Sequence, residues 1–433
     1  MNRLAVPLLV VAVVVALIMG GCAPSTAPAP APTPAPSPQP APSPQPAPSV
    51  EPSEQIPLGK PIKWGVQSAL AGWARPYAMV IDETCLMWAD KLNAEGGLVV
   101  GDERHMIEVI IEDFNFDIKA GLTNAEKLVY QDEVDAIFCV GLPSGKISEE
   151  VGRDEEVCIL EYSATGYGVT PGTPYYFDAL MRHWAIPNAF FPIIAEREPQ
   201  IKRVARITVD APYDWVQSGD DQAVIAEMPQ WEWVGESVAE QAQMDWVPIA
   251  TGVLALNPDL ISIGTIGDPL PTVIETVRDM GYTGEICCFQ PGWGMLDVVQ
   301  RLDDKGKVHY AEGIYSSETA WHPFSPELLD FKREFEEFSG ENWNPAVYQR
   351  YWAVGFLVEA LKAAGTIDDG EKLRDTLQDT ELTIPYGFPE PYVMRCGGLE
   401  KNGIKNQFST AQALSIIENG AVVSIAWDEC YTP

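Results

Sequence analysis

The sequence predicts an α/β protein made of two doubly wound parallel sheets, each covered by helices on both faces. Three observations carry this: short apolar runs alternate with longer amphipathic ones, the alternation resumes in the second half, and the chain from Lys60 onward is long enough for two domains. Ile62 to Val66 reads as a strand, Tyr77 to Glu95 as a helix and Ile107 to Glu112 as a strand. Ile118 to Gln131 reads as a second helix and Ala136 to Val140 as a third strand, which completes a βαβαβ series. The pattern returns as strand Arg203 to Val209, helix Gln217 to Met228 and strand Trp231 to Glu236. Strand Leu260 to Gly264, helix Pro271 to Met280 and strand Glu285 to Phe289 follow. Ligands of such sheets bind outside the carboxyl ends of the strands, so the loops after those strands are the places to search.

Ahead of the folded part, Met1-Asn2-Arg3 and the apolar run Leu4 to Met19 have the form of a signal peptide. The run is shorter than a spanning helix needs, and it ends at Met19-Gly20-Gly21-Cys22, a small-small-Cys pattern that suits cleavage before a lipid-carrying cysteine. Residues 1–21 are therefore read as a lipoprotein signal peptide and Cys22 as the lipidation site. Ala23 to Pro57 is almost wholly Ala, Pro, Ser, Thr and Gln and cannot bury a core. It favours polyproline II, reaching roughly 100 Å at about 3.1 Å per residue, so residues 22–59 form a tether. The anchor holds the protein to the outer face of the cell membrane or in the periplasm.

A net charge of −34 argues against nucleic acid and anionic lipid surfaces as partners. Of eight cysteines, the seven besides Cys22 cannot all pair, and none has zinc spacing. Cys139 and Cys158 lie in core-strand patterns, and Cys396 with Cys430 is the preferred pair. Gly141 to Lys146 imitates a phosphate loop but has one residue too few before Gly-Lys and Ile147 where Ser or Thr is required. No Gly-x-Ser-x-Gly or His-Glu-x-x-His is present, and the four histidines (His105, His183, His309, His322) are scattered without carboxylate companions. No catalytic residue, cofactor or metal is therefore expected.

Several segments then recur in a known order. Ile62-Lys63-Trp64-Gly65-Val66, Leu70-Ala71-Gly72 and Ala89-Asp90-Lys91-Leu92-Asn93-Ala94-Glu95-Gly96-Gly97 open the series. Glu108 to Asp113, Ala125 to Val129, Val134 to Phe138 before Gly141, Tyr162 to Thr165, Asn257-Pro258-Asp259 and Asn344-Pro345 before the helical run Tyr348 to Ala364 continue it. In order and spacing the chain resembles the branched-chain amino-acid-binding family of periplasmic solute-binding proteins, which serve ABC importers. The resemblance implies a type I binding-protein fold, with two α/β lobes joined by three crossings near Tyr176 to Asp178, Gly313 to Tyr315 and Thr383 to Tyr386. Lobe 1 would hold residues 60–177 and 314–384, and lobe 2 residues 178–313 and 385–433. It also implies a small-molecule ligand and an ABC transporter permease as partners. An extracellular sensing domain working with a separate signalling partner is the alternative.

Site residues follow from the same resemblance. Ser144 follows a strand and should open a helix, where a hydroxyl and free N–H groups suit a carboxylate; a simple N-cap is the plainer reading. Ser163 and Thr165 match a second set of carboxylate contacts, or form an ordinary turn. Gly72, Trp73 and Tyr77 match the loop that covers the ligand, and Tyr213 the second-lobe tyrosine that clamps it. Thr265 and Trp293 belong to later loops of that lobe. Where an acid would meet a ligand ammonium stands neutral Gln290, with Asp268 or Glu318 as substitutes. A small carboxylate or amide, aromatic in character, is therefore expected over a branched-chain amino acid.

Overall fold

The computed structural model describes residues 56–433, apart from 71–74, 116, 164, 241–242, 265–268 and 290–294. Strand β1 (Ile62–Ser68) leads to helix α1 (Arg75–Ala94), a small hairpin of β2 (Leu98–Val100) and β3 (Glu103–His105), and then β4 (Ile107–Asp113). Helix α2 (Ile118–Tyr130), β5 (Ala136–Val140), α3 (Leu142–Gly152), β6 (Cys158–Tyr162) and β7 (Tyr176–Asp178) follow. In β5 alternate residues enter different cores: Ala136, Phe138 and Val140 pack with α1, whereas Ile137 and Cys139 pack under α2. A sheet buried on both faces needs such near-continuous apolar strands. Gly65 serves the same purpose, because a Cβ there would stand 3.2 Å from Leu128 of α2.

The chain then forms a second sheet. Helix α4 (Ala185–Arg197) precedes β8 (Arg203–Val209), α5 (Pro212–Ala226), β9 (Glu232–Ala239) and α6 (Val247–Leu254). Next come β10 (Leu260–Ile263), α7 (Pro269–Asp279), β11 (Glu285–Cys288), α8 (Met295–Asp303) and β12 (Tyr315–Glu318). Here too residues alternate, with Ile261, Ile263 and Ile286 in a core with α7 and α8, and Leu260 and Cys287 in a core with Phe190, Phe191 and Ile225.

Helices α9 (Pro326–Ser339) and α10 (Pro345–Ala364) bring the chain back. Ser325 and Asn344 cap them by accepting from Leu328 N and Ala346 N, and Pro345 sits at the first turn, where no N–H partner is lost. Helix α10 lies beside α1: Trp88 stacks on Tyr351 at 4.9 Å, and its Nε1 donates to the Tyr351 carbonyl at 2.6 Å. After α11 (Gly370–Asp379) come β13 (Glu381–Ile384), β14 (Tyr392–Gly397), a short α12 (Leu399–Asn402), β15 (Gln407–Phe408), β16 (Gln412–Glu418) and β17 (Ala421–Asp428).

The first sheet has the order β13-β14-β15-β7-β6-β5-β1-β4 and the second β17-β16-β12-β11-β10-β8-β9. The chain thus passes between sheets after β7, after β12 and between β15 and β16. The second passage was expected at Gly313 to Tyr315, but Tyr315–Glu318 pairs with β11 and β16 in the second sheet, so it falls after Glu318. The third was expected at Thr383 to Tyr386, but β14 and β15 still belong to the first sheet, so it falls between Phe408 and Gln412. The reason is local: β14 turns back antiparallel on β13, pairing Glu381 with Arg395, and so stays in the sheet it would have left. The paired cysteines expected at Cys396 and Cys430 are both free thiols in the structure. Both are buried in the same hydrophobic core, and no bond joins them.

Candidate binding site at the strand ends

The central strands of each sheet are parallel, so their carboxyl ends share one edge. On the first sheet this edge carries Ser68, Gly141 and Ser163, and the loops behind them are built from buried polar groups. Ser144 lies in the first turn of α3 and is 1% exposed. The N-cap of that helix is Gly141 at φ 86°, so Ser144 is not the cap. Its hydroxyl instead turns back on the Gly141 and Val140 carbonyls, at 2.9 and 3.2 Å. Ser163 and Thr165 are brought together, their hydroxyl oxygens 3.2 Å apart.

Asp178 organises that pair. Its carboxylate accepts from Ser163 Oγ at 3.1 Å, from Gly166 N at 2.8 Å and from Leu180 N at 3.3 Å, which pins the loop after β6 to β7. Burial nonetheless raises its pKa to about 6. In the neighbouring register position Glu161 is wholly buried with no cation beside it, and desolvation lifts it to about 8 despite the Tyr176 hydroxyl that donates at 2.5 Å. Gly145 of α3 rests directly on this carboxyl: a Cβ at residue 145 would lie 1.8 Å from Glu161 Oε2.

Beside them, at the start of α1, Arg75 binds Asp82 at 2.5 Å and Glu83 at 3.2 Å, and Asp82 also accepts from Ser68 at 3.2 Å. Burial is the largest influence on Asp82 and leaves its pKa raised in spite of Arg75.

The second sheet holds a larger charged cluster, which the pattern analysis missed. Arg206, inside β8, is 1% exposed and ion-paired to both Asp214 and Asp221. Ser262 donates to Asp221 at 2.9 Å, His183 Nε2 lies 3.2 Å from it, and Asp214 accepts from Val209 N at 2.6 Å. Together these hold the first turn of α5 against the carboxyl end of β8, and Tyr213 is half-buried in that turn. An arginine within the apolar run Val204 to Val209, followed by Asp214 and Asp221 on the next helix, was the available signal.

Glu318 ends β12 and is 1% exposed. Its Oε1 accepts from Ser316 Oγ at 2.8 Å and from Met295 N at 3.0 Å, at the start of α8. Oε2 has no hydrogen-bond partner, and His322 Nε2 stands 3.6 Å away. Two histidines expected to lack carboxylate companions thus have them: the fold brings His183 to Asp221, far along the chain, and His322 to Glu318, four residues before it. Trp73, Thr265, Gln290, Trp293 and Asp268 lie outside the described residues, as does the side chain of Tyr77. Among the described residues no group of three or more His, Cys, Asp or Glu is placed to hold a metal ion.

Residues 61–404 match the family model described as periplasmic binding protein. The chain belongs to this family. Its described fold agrees with solved binding proteins. A leucine-binding protein from Thermotoga maritima matches with a TM-score of 0.65 at 17% identity, over 86% of this chain and 99% of that one. A leucine-, isoleucine-, valine-, threonine- and alanine-binding protein from Brucella ovis, in its closed conformation, gives 0.70 at 14% over 87% and 97%. A solute-binding protein of an ABC transporter from Rhodopseudomonas palustris, in complex with 3,4-dihydroxybenzoic acid, gives 0.66 at 16% over 86% and 98%. No curated protein matches the chain. This periplasmic binding protein therefore has the type I fold, two sheets of mixed strand direction flanked by helices.

Proposed function

We propose that this periplasmic binding protein is a lipid-anchored receptor that takes up a small carboxylate between two lobes and delivers it to the permease of an ABC importer. The observation that carries the reading is the triple passage of the chain between two mixed sheets whose parallel central strands end in buried polar loops. Such passages act as hinges, and closure about them traps a ligand. On this reading the lobes follow the two sheets, one built on β1, β4–β7 and β13–β15 and the other on β8–β12, β16 and β17. Cys22 and the proline-rich segment, both outside the described residues, supply the anchor and tether. No described helix is long and apolar enough to cross a membrane.

The ligand is read as a carboxylate with an apolar, aromatic body. Gln290 gives no counter-charge to an ammonium, and a buried ammonium without one costs several kcal/mol. Trp73, Tyr77, Tyr213 and Trp293 are suited to wall a flat ligand. A fold relative carries 3,4-dihydroxybenzoate, which makes aromatic acids a sensible panel. Glu318, with one buried carboxylate oxygen unpartnered, is the acid that would serve an amino acid instead.

Native mass spectrometry of the purified protein tests this. The expected spectrum shows one small molecule that leaves on activation and contains a carboxyl group. Tight leucine or valine binding in calorimetry, lost in Glu318→Gln, would contradict the choice of ligand and identify Glu318 as the ammonium partner.

A further inference from the structure

Two arginines are buried among the described residues, Arg206 and Arg350, and they are treated in opposite ways. Arg206 holds two carboxylates. Arg350, only 7% exposed, has no carboxylate within ion-pair distance among the described residues, in a chain with 62 acidic residues against 28 basic ones. Its Nη1 donates to the Ala346 carbonyl at 3.2 Å, its Nε has no partner, and its guanidinium carbon lies 5.3 Å from the centre of the Tyr162 ring. The Tyr162 hydroxyl in turn donates to the Arg350 carbonyl at 3.2 Å. Beside it, both side-chain polar atoms of buried Gln349 also lack partners. Arg278, also without an acid in ion-pair distance among the described residues, differs in that three backbone carbonyls satisfy it.

Burying a cation without an anion is costly, and structures retain such a group where something else supplies the charge. The position is suited to a ligand. Tyr162 is the last residue of β6, directly before the Ser163–Thr165 loop. Arg350 sits in the second turn of α10, whose start lies at the same strand-end edge, since Glu341 just ahead of it reaches Arg75 at the start of α1 at 3.6 Å. The hydroxyl groups of Ser144 and Ser163 donate to backbone carbonyls and to Asp178, so they do not neutralise an incoming charge.

Resting on the reading of a strand-end ligand site, we infer that Arg350 is an anion subsite that pairs with the carboxylate of the bound molecule. The guanidinium, held face-on over Tyr162, presents its free N–H edge to the ligand, and Tyr162 fixes its plane. Selection for the acid over its amide follows. Burial presses the Arg350 pKa down only to about 10, so the cation persists at neutral pH.

The test uses acid and amide pairs, benzoate with benzamide and leucine with leucinamide, titrated calorimetrically into wild type, Arg350→Met and Arg350→Lys. The expected result is a preference of at least about tenfold for one of the acids in the wild type, lost in Arg350→Met and partly kept in Arg350→Lys. Ligand-free Arg350→Met is expected to melt at or above the wild-type temperature, since an uncompensated buried charge has been removed. Unchanged acid binding in Arg350→Met, equal loss of acid and amide, or no acid binding by the wild type would each overturn the subsite. A neutral molecule found on the purified protein would also overturn it, while leaving the binding-protein reading in place.

Discussion

Glu161 shows how a single residue couples protonation to the strand-end loops. Its carboxyl is buried without a cation, and its pKa rises to about 8 in the folded chain, above the ordinary carboxylate value. The folded state therefore binds more protons than the unfolded state between about pH 4.5 and 8, and linkage makes stability fall as pH rises through that window. Below it the contribution is fully present. Asp178, raised to about 6, adds to the same trend over the lower part of the range. Glu161→Gln keeps the side-chain shape and an acceptor for Tyr176 but removes the titration. Melting temperatures from pH 5 to 8 are expected to decline more steeply in the wild type than in this variant; parallel curves would show that Glu161 is not the group responsible. Neither carboxyl was legible as a site residue in the sequence, because both lie inside the strand patterns that mark a core. Ser163 and Thr165 were singled out because they match the family's carboxylate contacts in the loop after a parallel strand, whereas the Asp178 that orients them belongs to a different strand.

At the scale of elements, the parallel strands and their helices could be read nearly residue for residue. Arg203–Val209 and Ala136–Val140 are apolar runs of strand length bounded by turns, and Ile118–Tyr130 carries an Asp117 cap that accepts from Ala120 N at 2.8 Å. The antiparallel C-terminal strands were not readable. Tyr315 of β12 meets Ile416 of β16 antiparallel, and Gln407 of β15 meets Asp178 of β7 in parallel, both across large sequence separations that local periodicity does not encode. Helix α5 was expected to begin at Gln217, yet it starts at Pro212 because the Arg206 cluster holds Asp214 in its first turn. Helix α3 depends on Gly145 to approach Glu161. A Gly145→Ala substitution places a methyl group into the Glu161 carboxyl, and overpacking of this kind costs about 1–3 kcal/mol. Urea unfolding is expected to show that loss, together with weaker ligand binding as the Ser144 turn shifts. A variant as stable as the wild type would mean that α3 does not rest on Glu161.

The molecule as a whole is two sheets linked by three strands of chain, an arrangement in which a ligand touching both lobes stabilises the closed form alone. At about 100 times its dissociation constant such a ligand adds roughly 2.7 kcal/mol to the stability of the folded state. The resemblance of the chain to periplasmic binding proteins made this architecture readable from the sequence, although the second passage lies after β12 and the third after β15, not before them. The occupant was less readable, because the proposed site would draw on loops of both lobes and on Arg350, a residue of a core helix that no strand-end motif marks. The most direct test of the two-lobed receptor is small-angle X-ray scattering of the ligand-free protein before and after saturation with the small molecule released from it. A smaller radius of gyration on saturation is the result expected of lobes closing over their ligand, and an unchanged radius at full occupancy would contradict it.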